Sequence, residues 1–356
     1  MTDNNQRTTR QAPEPFAVDS FRPEDAEGIV QLFHAVYGDG YPIRLFYDPE
    51  QIVAANAEGR YYSIVARTDA GQVIGAMHLY RSAPCKSLYE AGVGLVQKEY
   101  RNSGANTRLL DFLYNDFVPR NPHIEEVFGE AVCNHPYMQK AIERFHFVET
   151  AIEVALMPAE AYTREKSAQG RVATVNAFRC YQPKPHRIFL PAPYEQELRW
   201  IYARLDNARE IVPSVAQMPG GEPSRAGLEM FDFARVARIA VRDSGVDFRD
   251  CIIDREREAG IRKAVVLQVW LDLSQPWVGE AVACLRDLGY FFGGALPRWF
   301  DGDGLLMQKL LCPPDFEGIV LVSDFAKELL DVIKVDWERA KEILPRSCHD
   351  GEPPGV

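Results

Sequence analysis

The order of strand-like and helix-like segments is the feature that most limits how this chain can fold. Between residues 15 and 158, alternating apolar residues predict strands, and apolar residues spaced three or four apart predict helices. The resulting order is β-α-α-β-β-β-α-β-α-β. Such an order places a mixed, mostly antiparallel sheet against flanking helices, so the sequence predicts an α+β (α/β) fold.

A second, similar set of segments begins at residue 186. It includes a helix over 247–260, which Gly260 is expected to end, and a C-terminal amphipathic helix with Ser323 or Asp324 as its N-cap. The two halves therefore suggest tandem domains. The predicted organisation is a disordered tail (1–14), an N-terminal domain (15–158), a linker with one candidate strand at 172–180 (159–185), a C-terminal domain (186–312), a helical extension (313–345) and a disordered tail (346–356).

Length, charge and cysteine content narrow the class of protein. The chain has 356 residues and a net charge of -11, and it has no run of Lys and Arg, so nucleic acid is not an expected partner. No apolar stretch approaches the ~20 residues that span a bilayer, and the first residues have no apolar core of a signal peptide. Seven scattered cysteines without a C-x-x-C pair indicate reduced thiols, no zinc site and a cytoplasmic location.

The segment "VQKEYRNSGANTRLLDFL" (96–113) joins a predicted strand to a predicted helix through a glycine-containing turn. The first N–H groups of a helix have no acceptors within it, so they and the helix dipole attract anions. Lys98, Arg101 and Arg108 add local positive charge in an acidic chain. These features fit either a phosphate-binding turn or a polar loop, because strand-turn-helix junctions with a glycine are common.

The turn resembles the acyl-CoA pyrophosphate loop of the GCN5-related N-acetyltransferase (GNAT) superfamily, Q/R-x-x-G-x-G/A. Arg101 and Gly104 match this signature, and Asn106 replaces the small last residue. The predicted element order of residues 15–158 is also that of the superfamily. The turn "HPYMQK" and the segment "LGYFFGGALPRWFDGDGLLMQKL" further resemble a branch of the superfamily with tandem GNAT-like domains. The resemblance implies a second GNAT-like domain in this chain, which lacks the signature and is expected to be degenerate.

The resemblance implies acetyl-CoA, or another acyl-CoA, as cofactor and a small-molecule or peptide amine as acceptor. The fourth strand would supply backbone N–H groups to the thioester carbonyl and to pantetheine, and the turn would hold the pyrophosphate. The implied cofactor-binding residues are Leu95, Val96, Arg101, Asn102, Ser103, Gly104, Ala105, Asn106 and Thr107.

Glu90 is the candidate general base. It lies on the predicted fourth strand, eleven residues before Arg101, which is the spacing of the base in the histone-acetyltransferase branch that the chain resembles. A base of this kind must remove a proton from the acceptor ammonium before the amine can attack. The alternative is a solvent-facing strand glutamate.

His135 and Tyr137 are the other candidate catalytic residues. His135 has a side chain that can shuttle a proton near neutral pH, although "NHP" is also a good turn and helix cap. The superfamily often has a tyrosine that protonates the leaving thiolate, and Ile142 occupies that position here. Tyr137 is its candidate substitute, and Glu130 is a weaker candidate.

Two further motifs are interpreted as structural. Cys133 lies in a predicted buried strand with no base beside it, which favours packing over nucleophilic catalysis. The segment "FDGDG" (300–304) lacks the further acidic ligands of a calcium loop, which favours a hairpin turn.

The leading hypothesis is an acyl-CoA-dependent N-acyltransferase with its cofactor on the N-terminal domain. The alternatives are a non-catalytic CoA or acyl-CoA sensor and a scaffold protein that has lost the cofactor. A homodimer is compatible with the sequence, which leaves the acceptor, the acyl chain and the oligomeric state open.

Overall fold

The computed structural model describes residues 14–162, 170–206 and 208–343. The predicted tails at 1–14 and 346–356 and the middle of the predicted linker therefore fall almost wholly outside the described residues. The described chain divides into two compact units. The first contains the residues up to Tyr80 together with Ala91–Asn121, and the second contains Arg81–Glu90 together with the residues from Pro122 onward.

The first unit is an antiparallel β-meander with helices. Strands β1 and β2 pair in antiparallel register, as do β2 and β3, and β3 neighbours the part of β4 that begins at Ala91. A buried cluster that includes Ile29, Phe33, Phe46 and Val65 packs helix α1 on this sheet. The elements are β1 (Phe16–Ser20), α1 (Ala26–Tyr37), α2 (Pro49–Ala57), β2 (Tyr61–Thr68), β3 (Val73–Tyr80), β4 (Leu88–Val96) and α3 (Ala105–Asp111), which continues through a π-helical segment (Phe112–Phe117) to a last turn (Val118–Arg120).

The second unit contains the start of β4 and all later elements. Its main sheet has the order β4-β5-β7-β6-β13-β14-β12-β11-β10, and β8 and β9 form a separate parallel pair. The elements are β5 (Glu126–Val132), α4 (Tyr137–Glu143), β6 (Val148–Met157), β7 (Val172–Cys180), β8 (His186–Leu190), α5 (Glu195–Tyr202), β9 (Arg209–Pro213), β10 (Arg225–Phe231), β11 (Val236–Asp243), α6 (Phe248–Ile261), β12 (Val266–Asp272), α7 (Val278–Asp287), β13 (Phe291–Leu296), β14 (Gly304–Leu310) and α8 (Asp324–Lys341).

One strand arrangement occurs twice in this second unit. Strand β4 is parallel to β5, and β7 is inserted between β5 and β6. In the same way β11 is parallel to β12, and β14 is inserted between β12 and β13. The two arrangements meet where Gly294 pairs with Ala151. Gly294 has φ of 123°, and a Cβ atom there would lie 2.3 Å from the Thr150 carbonyl oxygen, so only glycine fits this contact.

Several predicted segments are confirmed by the structure. The strand predicted at 61–68 is β2, and the hairpin predicted at 300–304 joins the antiparallel strands β13 and β14. The Ser323 side chain caps α8 by accepting a hydrogen bond of 3.0 Å from the Ala326 N–H. The described part of the chain has no helix that is both long and apolar enough to cross a membrane.

Three expectations differ from the structure. Residues 172–180 are not part of a linker, because they form a strand that pairs on both sides, with β5 and β6. The predicted domain boundary at residue 158 does not coincide with the division into units, since β5, β6 and β7 group with the later strands. Gly260 does not end α6, which runs to Ile261, and the left-handed residue that follows is Lys263.

Candidate functional site

The predicted phosphate turn lies in the first unit, between β4 and α3. Strand β4 ends at Val96, a 3-10 turn covers Lys98–Tyr100, and Gly104 precedes the first residue of α3. Gly104 has φ of 83°, a left-handed conformation in which glycine is strongly favoured. A Cβ atom at Gly104 would meet nothing within 4 Å, so the space beside the turn is open to a ligand.

Two of the three cations predicted at this turn are available to an anion. Lys98 and Arg101 are exposed, and neither forms an ion pair with any residue that the structure describes. Arg108 is occupied differently, since its guanidinium donates to the Phe16 carbonyl oxygen at 2.9 Å and lies 4.4 Å from the Phe16 ring centroid. Arg108 therefore holds β1 against α3.

The backbone of the turn carries the remaining donors. Ala105 is buried, Asn106 is half-buried, and Asn102 and Thr107 are exposed. The N–H groups of a first helical turn have no acceptor within the helix, and Gly104 has no side chain to cap them. The Ser103 hydroxyl donates to the Tyr100 carbonyl oxygen at 2.7 Å, so it stabilises the turn itself.

Strand β4 has an irregular backbone just before the turn. Val93 has φ of 55°, which is rare for a β-branched residue. Strained backbone of this kind is found most often at functional sites. Leu95 is buried in the core of the unit and Val96 is half-buried, so any contact from these two residues to a ligand would come mainly from their backbones.

Glu90 lies in the second unit, on the first part of β4. It is half-buried and pairs with Phe128 of the parallel strand β5, so the two side chains share one face of the sheet. Glu130, two residues further along β5, lies on the same face. Burial raises the pKa of Glu130 well above its ordinary value, and the charges of Glu153 and Glu90 raise it further.

A buried polar network that the sequence did not predict extends from Glu130. Arg238 of β11 places its Nη2 atom 3.4 Å from Oε1 of both Glu130 and Glu153. Gln268 of β12 donates to Glu153 Oε1 at 2.8 Å and accepts from Arg238 Nε at 3.0 Å. The sequence shows only that each of two predicted strands contains a glutamate of this pair, Glu130 and Glu153. The strand register that brings the two glutamates together cannot be read from the sequence.

His135 and Tyr137 contact each other beyond the end of β5. Their ring centroids are 5.0 Å apart. His135 is half-buried, and its Nδ1 atom is buried without a hydrogen-bond partner among the described residues. Tyr137 is 74% exposed, whereas Ile142 is buried.

Cys133 and Asp303, from the two motifs interpreted as structural, are both buried. Cys133 is 1% exposed, and burial raises the pKa of its thiol to about 12, which suppresses the thiolate. Asp303 of the 300–304 hairpin is buried and bound to protein donors. In the described ranges, no group of three or more His, Cys, Asp or Glu side chains is placed to hold a metal ion.

Comparisons with known proteins give structural likeness alone. No protein-family model matches the chain, and no curated protein matches it. Several solved acetyltransferase structures are similar to about half of the chain. They include the ribosomal-protein-S18-alanine N-acetyltransferase from Escherichia coli, with 14% identity over 48% of this chain and 96% of that one and a TM-score of 0.37.

Two other solved structures have a similar extent of likeness. A putative acetyltransferase of the GNAT family from Desulfovibrio desulfuricans has 14% identity over 47% of this chain and 99% of that one, with a TM-score of 0.35. The spermidine N-acetyltransferase from Vibrio cholerae has 14% identity over 46% of this chain and 93% of that one, with a TM-score of 0.37. A function must therefore be argued from the residues of this chain.

Proposed function

We propose that this chain is an acyl-CoA-dependent N-acyltransferase that transfers an acyl group directly to a primary amine, with acetyl-CoA as the donor to test first. The observation that carries the proposal is the uncovered, left-handed turn at Gly104, which precedes α3 and follows the strained strand β4 after a 3-10 turn. The resemblance of this turn to the GNAT signature supports the same assignment.

The residues of the turn fit the diphosphate of a CoA molecule. The first N–H groups of α3 would hold its oxygens, and the Gly104 position leaves the backbone uncovered. Arg101 and Lys98 supply positive charge that no described carboxylate neutralises. The proposed contacts are the backbone from Asn102 to Thr107 and the Arg101 side chain, with the β4 backbone at Leu95 and Val96 holding the pantetheine arm.

The chemistry assigned to the protein is proton transfer and stabilisation of charge. Bound acyl-CoA supplies an activated thioester carbonyl. Glu90 accepts the proton of the acceptor ammonium, which leaves a neutral amine. N–H groups of β4 donate hydrogen bonds to the carbonyl oxygen as it gains negative charge.

The proton for the leaving thiolate has no dedicated tyrosine, since Ile142 is buried at the superfamily's position. His135 is the better candidate to relay it, because its Nδ1 atom is buried and has no partner among the described residues. Tyr137 would have to act from a largely exposed position.

Calorimetric titration with acetyl-CoA and with free CoA tests the proposal. We expect Kd in the micromolar range for the wild-type protein and a loss of about tenfold or more in Arg101→Glu, because a cation is replaced by an anion at the diphosphate. Arg120→Glu, at a 70% exposed side chain of the same unit, is the matched control and should bind normally. Equal affinities for the two variants would contradict the pyrophosphate assignment.

A non-catalytic CoA or acyl-CoA sensor is the second candidate function. The buried Ile142 at the acid position and Asn106 at the last signature position favour it. A sensor would bind CoA in the same titration but would release no thiol with any amine in a broad acceptor panel. Thiol release that depends on an amine would exclude the sensor.

A further inference from the structure

A polar face formed by β5, β6 and β7 of the second unit is rich in hydrogen-bond acceptors. Glu130 stands directly opposite Asn176, and Glu153 stands directly opposite Thr174, in antiparallel register. Opposite residues of an antiparallel pair project to the same face with close Cβ atoms. Since Thr174 and Asn176 are two residues apart on β7, all four side chains share one face. We call Glu130, Glu153 and Asn176 the acceptor cluster.

Few donors reach this acceptor cluster. Arg238 contributes one nitrogen at 3.4 Å from each carboxylate, which is longer than a normal charge-assisted hydrogen bond. Gln268 and Thr174 donate to Glu153 alone, at 2.8 Å and 3.2 Å. Asn176 is 2% exposed, and its Oδ1 atom has no partner among the described residues. Glu153 thus accepts from three side chains, whereas Glu130 accepts from Arg238 at 3.4 Å and the Asn176 Oδ1 atom has no partner among the described residues.

Asp303, in the same unit, is a buried carboxylate whose oxygens are surrounded by close nitrogen donors. It accepts from Arg209 Nε at 2.5 Å and from the Arg298 backbone N–H at 2.9 Å, and His186 Nε2 lies 3.1 Å away. Against the effect of burial, His186 and Arg209 lower the pKa of Asp303, whereas burial, the charges of Glu153 and Glu90 and a hydrogen bond with Glu153 raise the pKa of Glu130. Glu130 and Asn176 lack the close nitrogen donors that surround Asp303.

The acceptor cluster is also reachable from solvent. The side chains of Glu130 and Arg238 are each 18% exposed, whereas those of Asp303 and Arg209 are 0% and 3% exposed. A small ligand can therefore contact Glu130 without opening the sheet. An ammonium is a compact group that supplies three donors and no acceptor.

We propose that the acceptor cluster binds a second ammonium group of the amine that is acylated, so that the acceptor is a short aliphatic diamine. The proposal rests on the proposed function for the transfer step, while the binding step stands on its own. Glu90 lies on the same face as Glu130 and would take the proton of the reacting amine. Arg238 is a positioning residue that holds the two carboxylates together.

The test is a calorimetric titration of the full chain with 1,4-diaminobutane, butylamine and 4-aminobutyrate, without CoA. We expect the diamine to bind at least about tenfold more tightly than butylamine, because the second ammonium gains charge-assisted hydrogen bonds. Glu130→Gln should abolish that preference. Glu210→Gln, which removes a carboxylate of an exposed ion pair, should leave it unchanged.

Asn176→Leu separates a ligand-binding role from a structural one. Its Oδ1 atom has no partner to lose, so the variant should keep the wild-type Tm while diamine affinity falls about tenfold. A lowered Tm with unchanged diamine affinity would overturn the proposal, as would equal binding of the diamine and butylamine, or preferred binding of 4-aminobutyrate.

Activity then distinguishes this inference from the proposed function. Preferred diamine binding without acyl transfer would leave the acceptor cluster established and contradict the transferase assignment. Acyl transfer with no preference for a diamine over butylamine would support the transferase assignment and contradict the acceptor cluster as a diamine site.

Discussion

Asp303 and Arg209 form an enclosed ion pair with 2.5 Å between Oδ2 and Nε, and their side chains are 0% and 3% exposed. The pair joins the hairpin between β13 and β14 to the start of β9. His186, at the start of β8, lies 3.1 Å from the same carboxylate. Asp303 thus ties the small β8-β9 pair to the main sheet of the second unit.

Asp303→Asn should lower the free energy of unfolding by about 3–5 kcal/mol, because it leaves the buried Arg209 without its counter-ion. Urea denaturation monitored by circular dichroism measures this. Asp301→Asn is the matched control two residues away, at an 87% exposed side chain, and should change stability by about 0.5 kcal/mol or less. Similar effects of the two substitutions would contradict a structural role for the buried pair.

The contribution of Asp303 to the free energy of unfolding should depend on pH in a defined direction. The donors around Asp303 depress its pKa in the folded protein below the ordinary 3.8. The unfolded chain therefore binds the proton first, and the stability from Asp303 is present above about pH 4 and is lost as the pH falls below it. Wild type and Asp303→Asn should converge in stability under acidic conditions, and a constant difference would contradict this linkage.

The effect of Glu130 on stability should change with pH in the opposite direction to that of Asp303. Burial, with the charges of Glu153 and Glu90, raises its folded-state pKa above the ordinary 4.5, and Arg238 offsets only part of this. The folded protein keeps the proton to a higher pH than the unfolded chain, so stability falls as the pH rises above about 4.5. Glu130→Gln cannot ionise and should gain about 1 kcal/mol or more over wild type between about pH 5 and pH 8.

Denaturation curves of both proteins across that range test this expectation. The difference between Glu130→Gln and wild type reports Glu130 together with the carboxylates that interact with it, Glu153 and Glu90, since the titrations elsewhere are shared by the two proteins. A difference that stays constant with pH would show that Glu130 ionises normally in the folded state.

Local patterns predicted most of the elements because strands and helices leave periodic signals. The strand at 61–68 and the Ser323 cap depend on residues close in sequence, and both are as predicted. The local pattern also predicts a strand at 172–180. The insertion of this strand between β5 and β6 depends on partners distant in the sequence, so the local pattern alone places it in a linker.

The polar network of the second unit was beyond sequence reasoning for the same reason. Arg238 and Glu130 are 108 residues apart, and no local pattern specifies the register that brings them together. The short strand Arg209–Pro213 was missed because its parallel partner β8 determines it. A glycine near the end of a helix indicates a terminator, but α6 ends one residue beyond Gly260, at Ile261.

Glu90→Gln should lower kcat by about two orders of magnitude, because the acceptor amine loses the group that removes its proton. Affinity for acetyl-CoA should not change, since the substitution leaves the turn at Gly104 intact. A thiol-release assay and calorimetry measure the two quantities. Glu210→Gln is the control, and a normal rate in Glu90→Gln would exclude this residue as the base.

Gly104 and Gly71 form a matched pair for testing the cofactor turn. Both are in the first unit, both have φ of 83°, and a Cβ atom at either position would meet nothing within 4 Å. Gly104→Ala and Gly71→Ala should therefore cost the same stability, about 1 kcal/mol each, because alanine is strained in the left-handed conformation. Gly71 lies in the turn between β2 and β3, away from α3 in sequence.

Only Gly104→Ala should weaken binding of CoA, because the added methyl group covers backbone that the diphosphate must approach. We expect a loss of about tenfold in affinity, measured by calorimetry at a temperature where both variants are folded. Since the two substitutions carry the same strain, stability cannot account for a difference in binding. Equal CoA affinity in the two variants would show that the turn at Gly104 serves the fold alone.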